Sequence, residues 1–351
     1  MKRKETKLVF VGFGTVGQGC ARHLQSHRRQ LSDKYGFRFK VIGITDIAKG
    51  SVLNDRGIDL SKAISSAKKQ VKLENAGLGG SGGLSTVETI AKAKADVVVE
   101  STWTNLTDAE PGLSHMVTAL RSGSDVVTSN KGPIALHYKK LTDLAKVKRQ
   151  ILRFESTVMS GTPIFTLREF CLPSAKILGM RGILNGTTNY ILTEMAKGKD
   201  YSNALKNAQT RGYAEVDPTG DVEAHDPAAK ITILANALMN RNIRYTDVKS
   251  EGITKITAQD ISNATADSKT IKLLAQASEV GGKLEVNVKP TLLPDSDMLA
   301  HVNGIINALN ISTDVQPDLT LVGPGAGGDS AGYGLLCDII AIHNLRSGWN
   351  N

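Results

Sequence analysis

Cysteine is scarce in this chain, and the three present, Cys20, Cys171 and Cys337, stand far apart. Such spacing matches neither a metal site nor a disulfide framework and suits a reducing compartment, so core thiols are expected. Long apolar runs are also missing. No stretch of about eighteen apolar residues is available to span a bilayer, and the opening "MKRKETKLVFVGFG" passes from a basic tip into a strand-like run without an export cleavage site. These absences exclude a membrane span and predict a cytoplasmic location. Aromatic residues make up only 5% of the chain. Although the net charge is +9, the lysines are dispersed over helix-like segments such as "SKAISSAKKQVKL" and no nucleic-acid module is visible. The charge therefore predicts a solvated basic surface, from which an acidic substrate or dinucleotide would also benefit, with no nucleic-acid partner.

What is present is a globular composition, 40% hydrophobic over 351 residues, enough for one large core or two ordinary ones. The β-branched and aromatic run "KLVFVGFG" ends in glycine and is followed by the helically spaced "TVGQGCARHLQSHRRQL". Further strand-like runs, "FRFKVIGITD", "ADVVVEST" and "DVVTSNKG", alternate with helical segments, which predicts a parallel sheet covered on both faces. The glycine-rich "NAGLGGSGGLS" reads as an exposed loop inside this domain. From about Arg153 the pattern changes: "KILGMRGILNGTTNYIL" and "KLEVNVKPTLL" read as strands of a mixed or antiparallel sheet with helices between them. The expected fold class is α/β, a doubly wound parallel sheet over 1–150 plus an α+β domain over 151–316. The segment 317–351 is expected to return to the first domain.

The turn "GFGTVG" fits G-x-G-x-x-G at Gly12, Gly14 and Gly17, and it lies between a strand and a helix, where each glycine has a mechanical reason. The first permits the turn, the second lets the backbone approach a pyrophosphate, and the third allows the helix to pack closely on the strand. The helix N-terminus then offers unpaired N–H groups and a positive dipole to the phosphates. Gly12, Phe13, Gly14, Thr15, Val16 and Gly17 are therefore the expected dinucleotide contacts of a Rossmann-type domain. Asp46 ends the second strand, where an acid can accept hydrogen bonds from the adenosine ribose and repel a 2′-phosphate, although it lies further from Gly17 than the usual twenty or so residues. The intervening helix and its loop must then be long. Asp46 also fits a plain turn cap, and nearby Lys49 opposes its preference, so the reading is NAD(P) with a lean to NAD.

In "GYAEVDPTGDVEAHDPAAKITILANAL" the carboxylates Glu215, Asp217, Asp221, Glu223 and Asp226 precede Lys230 and an apolar run. Asp226 followed by Pro227 predicts a helix start, with Asp226 as N-cap. Ile231, Leu234, Ala235 and Leu238 form the buried stripe. Lys230, four residues after Asp226 and at the edge of that stripe, can meet the carboxylate. From spacing alone a helix cap and an ordinary ion pair explain this as well as chemistry does. The acids upstream favour a site for a cationic group.

Taken together, "GFGTVG", "SNKGP", "FESTVMSGTPI", "NGTTNYIL", "GYAEVDPTGDVEAHDPAAK", "EGI" with "ITAQDI", and "GPGAGG" resemble the homoserine dehydrogenase family, in the family's order and over nearly the whole chain. The resemblance implies reversible NAD(P)H-dependent reduction of L-aspartate 4-semialdehyde to L-homoserine in threonine and methionine biosynthesis, by a homodimer paired through the second domain. It implies that Lys230 is the catalytic lysine giving a proton to the aldehyde oxygen, with Asp226 orienting its ammonium. It further implies that Glu215 and Asp221 hold the substrate amino group, that Gly186 and Thr187 form a turn bordering the pocket, and that Lys131 reaches substrate and cofactor. Ser101, Thr102 and Gly325 are implied as further cofactor contacts. "FESTVMSGTPI" is similar to the family's monovalent-cation loop, in which Glu155 and carbonyls near Val158, Ser160 and Thr162 hold sodium. Trp103 departs from the small residue or proline usual beside the nicotinamide end. The sequence ends after "RSGWNN" with nothing resembling a regulatory domain or a fused aspartokinase, so threonine feedback through such a domain is not expected.

Two other readings compete: a different Rossmann dehydrogenase acting on an amino-acid derivative, and a dinucleotide sensor without turnover. An acyl-phosphate-forming aldehyde dehydrogenase would need a cysteine nucleophile, and none of the three cysteines lies in a convincing site. His225, beside Asp226, reads as a loop histidine.

Overall fold

The computed structural model describes residues 5–348. Its chain forms two compact units: one comprises the residues up to Gly161 and those from Gly327 onward, the other Thr162–Ala326. The first unit opens with β1 (Thr6–Val11), α1 (Thr15–Ser26), α2 (Arg28–Tyr35), β2 (Phe39–Asp46), β3 (Gly50–Leu53), α3 (Leu60–Lys68), β4 (Ser81–Gly82) and α4 (Thr86–Ala93). It continues with β5 (Val97–Glu100), α5 (Gly112–Arg121), β6 (Asp125–Thr128), α6 (Lys131–Lys148) and β7 (Leu152–Arg153). The seven strands lie in the order β4-β3-β2-β1-β5-β6-β7. β2, β1, β5, β6 and β7 are parallel, whereas β3 and β4 turn back antiparallel at one edge. Strands covered on both faces read as unbroken apolar runs, and Leu8 to Val11 and Val97 to Glu100 are buried throughout.

The long gap between Gly17 and Asp46 contains a second helix rather than a loop. α2 is closed by Gly36 in the left-handed conformation, and Leu31 is its buried anchor. The glycine-rich stretch after Asn75 remains mostly loop, with Ser81 and Gly82 pairing against β3.

The second unit contains α7 (Phe165–Cys171), β8 (Ile177–Ile183), α8 (Gly186–Ala196), α9 (Tyr201–Thr210), α10 (Thr219–Val222), α11 (His225–Leu238), β9 (Lys249–Ser250) and α12 (Ala258–Ala266). It is completed by the long hairpin β10 (Lys269–Val280) and β11 (Lys283–Pro294), then β12 (Ile306–Thr313) and β13 (Leu319–Pro324). Its sheet runs β13-β12-β8-β10-β11-β9 and is antiparallel except for the β11–β9 pair. The expected strand through "NGTTNYIL" is instead α8. Asn185 accepts a hydrogen bond from the Thr188 N–H at 2.9 Å and so caps the helix. Its β-branched residues Thr187, Thr188, Ile191 and Thr193 lie inside a helix buried on all sides, where tertiary packing outweighs propensity.

The expected boundaries also move. β7 joins the first sheet, and β13 pairs with β12 in the second, so the segment from 317 returns to the first unit only with α13 (Gly328–Ser347). α13 crosses α1 through glycines. A Cβ on Gly19 would lie 2.3 Å from the Gly328 carbonyl oxygen, and one on Gly332 would lie 2.4 Å from the Cys20 nitrogen. Leu335, Leu336, Ile339 and Ile342 of α13 enter the same core as Leu8, Phe10 and Phe13. Cys20 is buried there and Cys337 partly so, but Cys171 is exposed.

Because the obstructing atom at Gly332 is backbone, Gly332→Ala should destabilise the chain by about 1–3 kcal/mol, the usual cost of overpacking. The check is a denaturant or thermal melt; an unchanged midpoint would mean that the helices separate without cost.

Candidate active site

The first cluster lies at the carboxyl ends of β1 and β5, between which the strand order reverses, the place where open α/β sheets bind ligands. Gly12 leaves β1 with φ +83°, and a Cβ there would lie 2.6 Å from the Ser101 carbonyl oxygen. A Cβ on Gly17 would strike the Gly12 carbonyl oxygen at 2.4 Å. Gly14 differs: its φ is −78°, and a Cβ would meet nothing within 4 Å. The protein itself gives no reason for a glycine at 14, whereas a pyrophosphate lying against that backbone does. Gly14 is the N-cap of α1 without a side-chain cap, so the N–H groups that begin at Thr15 and Val16 face no competing acceptor from the cap. The residues therefore fit a dinucleotide.

Asp46, at the end of β2, is tied to the same turn. Its Oδ2 accepts the Phe13 N–H at 2.8 Å, and its Oδ1 accepts the N–H groups of Ala48 and Lys49 at 2.9 and 3.0 Å. Burial pushes this carboxyl up, but those hydrogen bonds and the Lys49 ammonium, 3.5 Å away, outweigh it and hold the group below the usual carboxylate range. Asp46 is thus both a turn cap and a fixed anion. Ser101 donates to the Gly12 carbonyl at 2.9 Å, and Thr102 donates its N–H to Glu100 at 3.1 Å. Lys131 is the first residue of α6, capped by Asn130, whose Oδ1 accepts the Gly132 N–H at 3.1 Å.

The second cluster lies wholly in the second unit. α11 begins two residues earlier than expected, at His225, behind Ala224 in the left-handed conformation at φ +67°; Asp226 therefore sits in the first turn and is not the N-cap. Pro227, also in that turn, occupies a position whose N–H has no intrahelical partner in any case. Lys230 is 6% exposed. Its Nζ lies 2.7 Å from Asp226 Oδ2 and donates to the Leu184 carbonyl at 2.6 Å. Asn185 joins the two acids, donating from Nδ2 to Asp221 at 2.6 Å and to Asp226 at 2.9 Å. Burial raises the Asp221 carboxyl, as does Asp226 beside it; the hydrogen bond from Asn185 and the Lys230 charge oppose the shift. Thr187 donates to the Tyr213 carbonyl at 2.6 Å, and Gly186 starts α8, where a Cβ would lie 2.8 Å from the Ile305 carbonyl oxygen.

Asp221, Asp226, Lys230 and the start of α8 are therefore brought together, with Asn185 as the residue that sequence reasoning passed over inside the motif it quoted. A polar residue directly before the predicted turn was the available signal. Glu215 is exposed, on the loop whose backbone carbonyls at 215 and 216 accept from Gln209. Exposed His225 points Nδ1 at the Tyr245 hydroxyl, 3.0 Å away.

Five further residues are placed separately. Gly325 lies in the second unit against Asn307, whose side chain a Cβ would meet at 2.2 Å. Glu155 is buried in the short turn Glu155–Thr157 with its N–H donated to Asp338 at 2.8 Å, and Val158 and Ser160 are buried in the same unit. Thr162 opens the second unit. Among the described residues no group of three or more His, Cys, Asp or Glu side chains could hold a metal ion.

The family model for homoserine dehydrogenase matches residues 163–340, and that for the NAD-binding domain of homoserine dehydrogenase matches 12–155. A homoserine dehydrogenase from Methanocaldococcus jannaschii is 41% identical over 96% of this chain and 98% of its own. An NAD(+)-dependent homoserine dehydrogenase from Pseudomonas canavaninivorans is 38% identical over 97% and 96%. A putative homoserine dehydrogenase structure from Archaeoglobus fulgidus superposes with a TM-score of 0.86 at 33% identity, covering 96% of this chain and 99% of that one. A hyperthermophilic archaeal homoserine dehydrogenase mutant in complex with NADPH gives 0.83 at 32% identity, covering 99% of both. A parallel sheet with this glycine turn, matched by an NAD-binding family model, defines a nicotinamide-dependent oxidoreductase. Within that class, the chain belongs to the homoserine dehydrogenase family.

Gly14→Ala tests the dinucleotide fit, since the new methyl meets no protein atom. Stability should stay within about 1 kcal/mol, while NAD(P)H should bind roughly ten- to a hundredfold more weakly, the equivalent of a 1–3 kcal/mol clash. Calorimetric titration and a melt on the same preparation separate the two effects; unchanged affinity would remove the pyrophosphate from this turn.

Proposed function

We propose that this homoserine dehydrogenase interconverts L-aspartate 4-semialdehyde and L-homoserine with Lys230 as the proton donor and acceptor. The observation that carries the role is the burial of Lys230 between a carboxylate and a backbone carbonyl, both at hydrogen-bond distance. NAD(P)H, when bound, supplies the hydride. The ammonium of Lys230 gives a proton to the aldehyde oxygen as negative charge develops there and takes it back in the opposite direction. Asp226 orients the ammonium, and Asn185 fixes Asp226. The surplus of carboxylates around one lysine, Asp221 within the cluster and Glu215 on the adjoining loop, suits the substrate's own ammonium group. Gly186 and Thr187 border the pocket, and Lys131 serves substrate and cofactor.

Gly12, Phe13, Gly14, Thr15, Val16 and Gly17 cradle the pyrophosphate, Asp46 takes the ribose hydroxyls, and Ser101, Thr102 and Gly325 are further cofactor contacts. An anionic Asp46 gives a lean to NAD over NADP. Glu155 with the carbonyls of Val158 and Ser160 forms a donor set of the hard, oxygen-only kind that suits sodium. Homodimer formation is supported by apolar side chains left exposed on the strands of the second sheet, Leu178, Leu292, Ile306 and Val322 among them. No helix among the described residues is long and apolar enough to cross a membrane. The unpaired Cys20, Cys171 and Cys337 support a cytoplasmic setting.

A reading as an aldehyde dehydrogenase working through a thiol is disfavoured by burial, which raises the Cys20 pKa above its usual range and pushes the Cys337 thiol up to about 11.

Lys230→Met should lower kcat about a hundredfold or more, the low end of general acid catalysis, with NAD(P)H affinity near normal. Near wild-type turnover in a steady-state assay would end the proton-donor role. For the cofactor, Asp46→Ser should reduce kcat/KM with NAD more than with NADP. A strong wild-type NADP preference that disappears only when Lys49 is replaced would assign discrimination to the lysine instead.

A further inference from the structure

Glu100 is fully buried at the end of β5, and none of the roles above uses it. Its Oε1 accepts both the N–H of Thr102, at 3.1 Å, and the Thr102 hydroxyl; its Oε2 accepts the Thr128 hydroxyl at 2.9 Å. Each of these hydroxyls gives its only proton to the carboxylate, so its lone pairs must accept. Both accept from Asn130: its N–H donates to Thr128 at 2.9 Å, and its Nδ2 donates to Thr102 at 3.2 Å. The four residues thus close a ring in which both arms donate from Asn130, through a threonine, to Glu100. Asn130 carries the ring outward, capping α6 in front of Lys131 and donating to the Trp103 carbonyl at 3.1 Å. A Cβ on Gly132 would lie 2.4 Å from the Asn105 carbonyl oxygen, so the loop after β5 is pressed on the first turn of α6.

A buried carboxylate is costly to stability, and a well-packed apolar replacement is often neutral or better. The basic group beside it, His115, is 3.8 Å away, and its Nδ1 has no hydrogen-bond partner. Stability alone therefore does not account for a charge here. Its place, at the carboxyl edge of the sheet where ligands bind, does.

We propose that Glu100 is a positioning residue, which through Thr102, Thr128 and Asn130 fixes the loop after β5 and the Lys131 end of α6. The ring needs a group that accepts on both oxygens, and a glutamine amide cannot. The inference rests on the reading of Lys131 and Thr102 as site residues.

The test uses the full chain with Glu100→Gln, Thr128→Val and Thr128→Ser, the last as rescue because it keeps the hydroxyl, each in wild type and in a Lys131→Ala background. Misplacing reactive groups by about 1 Å costs on the order of a hundredfold, so Thr128→Val should lower kcat by about ten- to a hundredfold, and Thr128→Ser should restore most of it. In the Lys131→Ala background the same change should cost under about threefold, because the group being positioned is gone. A full, independent loss in both backgrounds, or a lowered melting temperature with normal kcat, overturns the proposal. If Lys131→Ala itself turns over near the wild-type rate, the reading of Lys131 fails. The ring is then judged by the NADH dissociation constant measured by calorimetry: about a tenfold rise in Thr128→Val supports positioning through Thr102, and no rise overturns it.

Discussion

The contact between Lys230 and Asp226 is the constraint around which the second unit is arranged. An ammonium this deeply buried needs both a countercharge and further acceptors, and here they come from different elements: the first turn of α11 and Leu184, the residue that follows β8. Bringing Leu184 to Lys230 fixes where β8 must end. Asn185, next in the chain, can then cap α8 with one amide atom and join Asp221 to Asp226 with the other. Two helices buried almost all round, α8 and α11, thus meet at their N-terminal ends on one polar cluster.

In the cofactor-binding unit the corresponding constraint is absence of volume. Gly12 and Gly17 are required by backbone that would otherwise collide, and Gly14 by no protein atom at all. The same sequence feature therefore serves two ends, internal close packing at two positions and an open approach at the third. Asp46 adds the third element, for its carboxylate secures the Phe13 N–H and the following turn.

Much of this was legible in the chain itself. Glycine spacing after an apolar run and a lysine four residues beyond an aspartate depend on short-range geometry, which sequence carries directly. Asn185 was not legible as the joint of the cluster, because its partners Asp221 and Asp226 come from a separate loop and helix. The strand expected at "NGTTNYIL" failed for a related reason: a helix buried on all sides has no polar face to reveal its period. The exchange of β7 and β13 between the expected domains reflects strand pairing, a long-range property without a local signature. Lys272 is the extreme case, a lysine in β10 that is 1% exposed, its ammonium held by the Val302 carbonyl and the side chains of Asn189 and Asn303.

The interrupted course of the first unit has a consequence for synthesis. Its strands and first six helices leave the ribosome early, but the helix that fills their core, with Leu335, Ile339 and Ile342, is encoded after the whole of the second unit. During translation the nascent sheet must wait with an apolar face uncovered while some 160 intervening residues are made. The second unit, contiguous in the chain, can fold without that delay. Cofactor-binding competence is then the last property the polypeptide acquires, and a message truncated near its end yields a chain with an intact Lys230–Asp226 cluster and an unfinished dinucleotide fold.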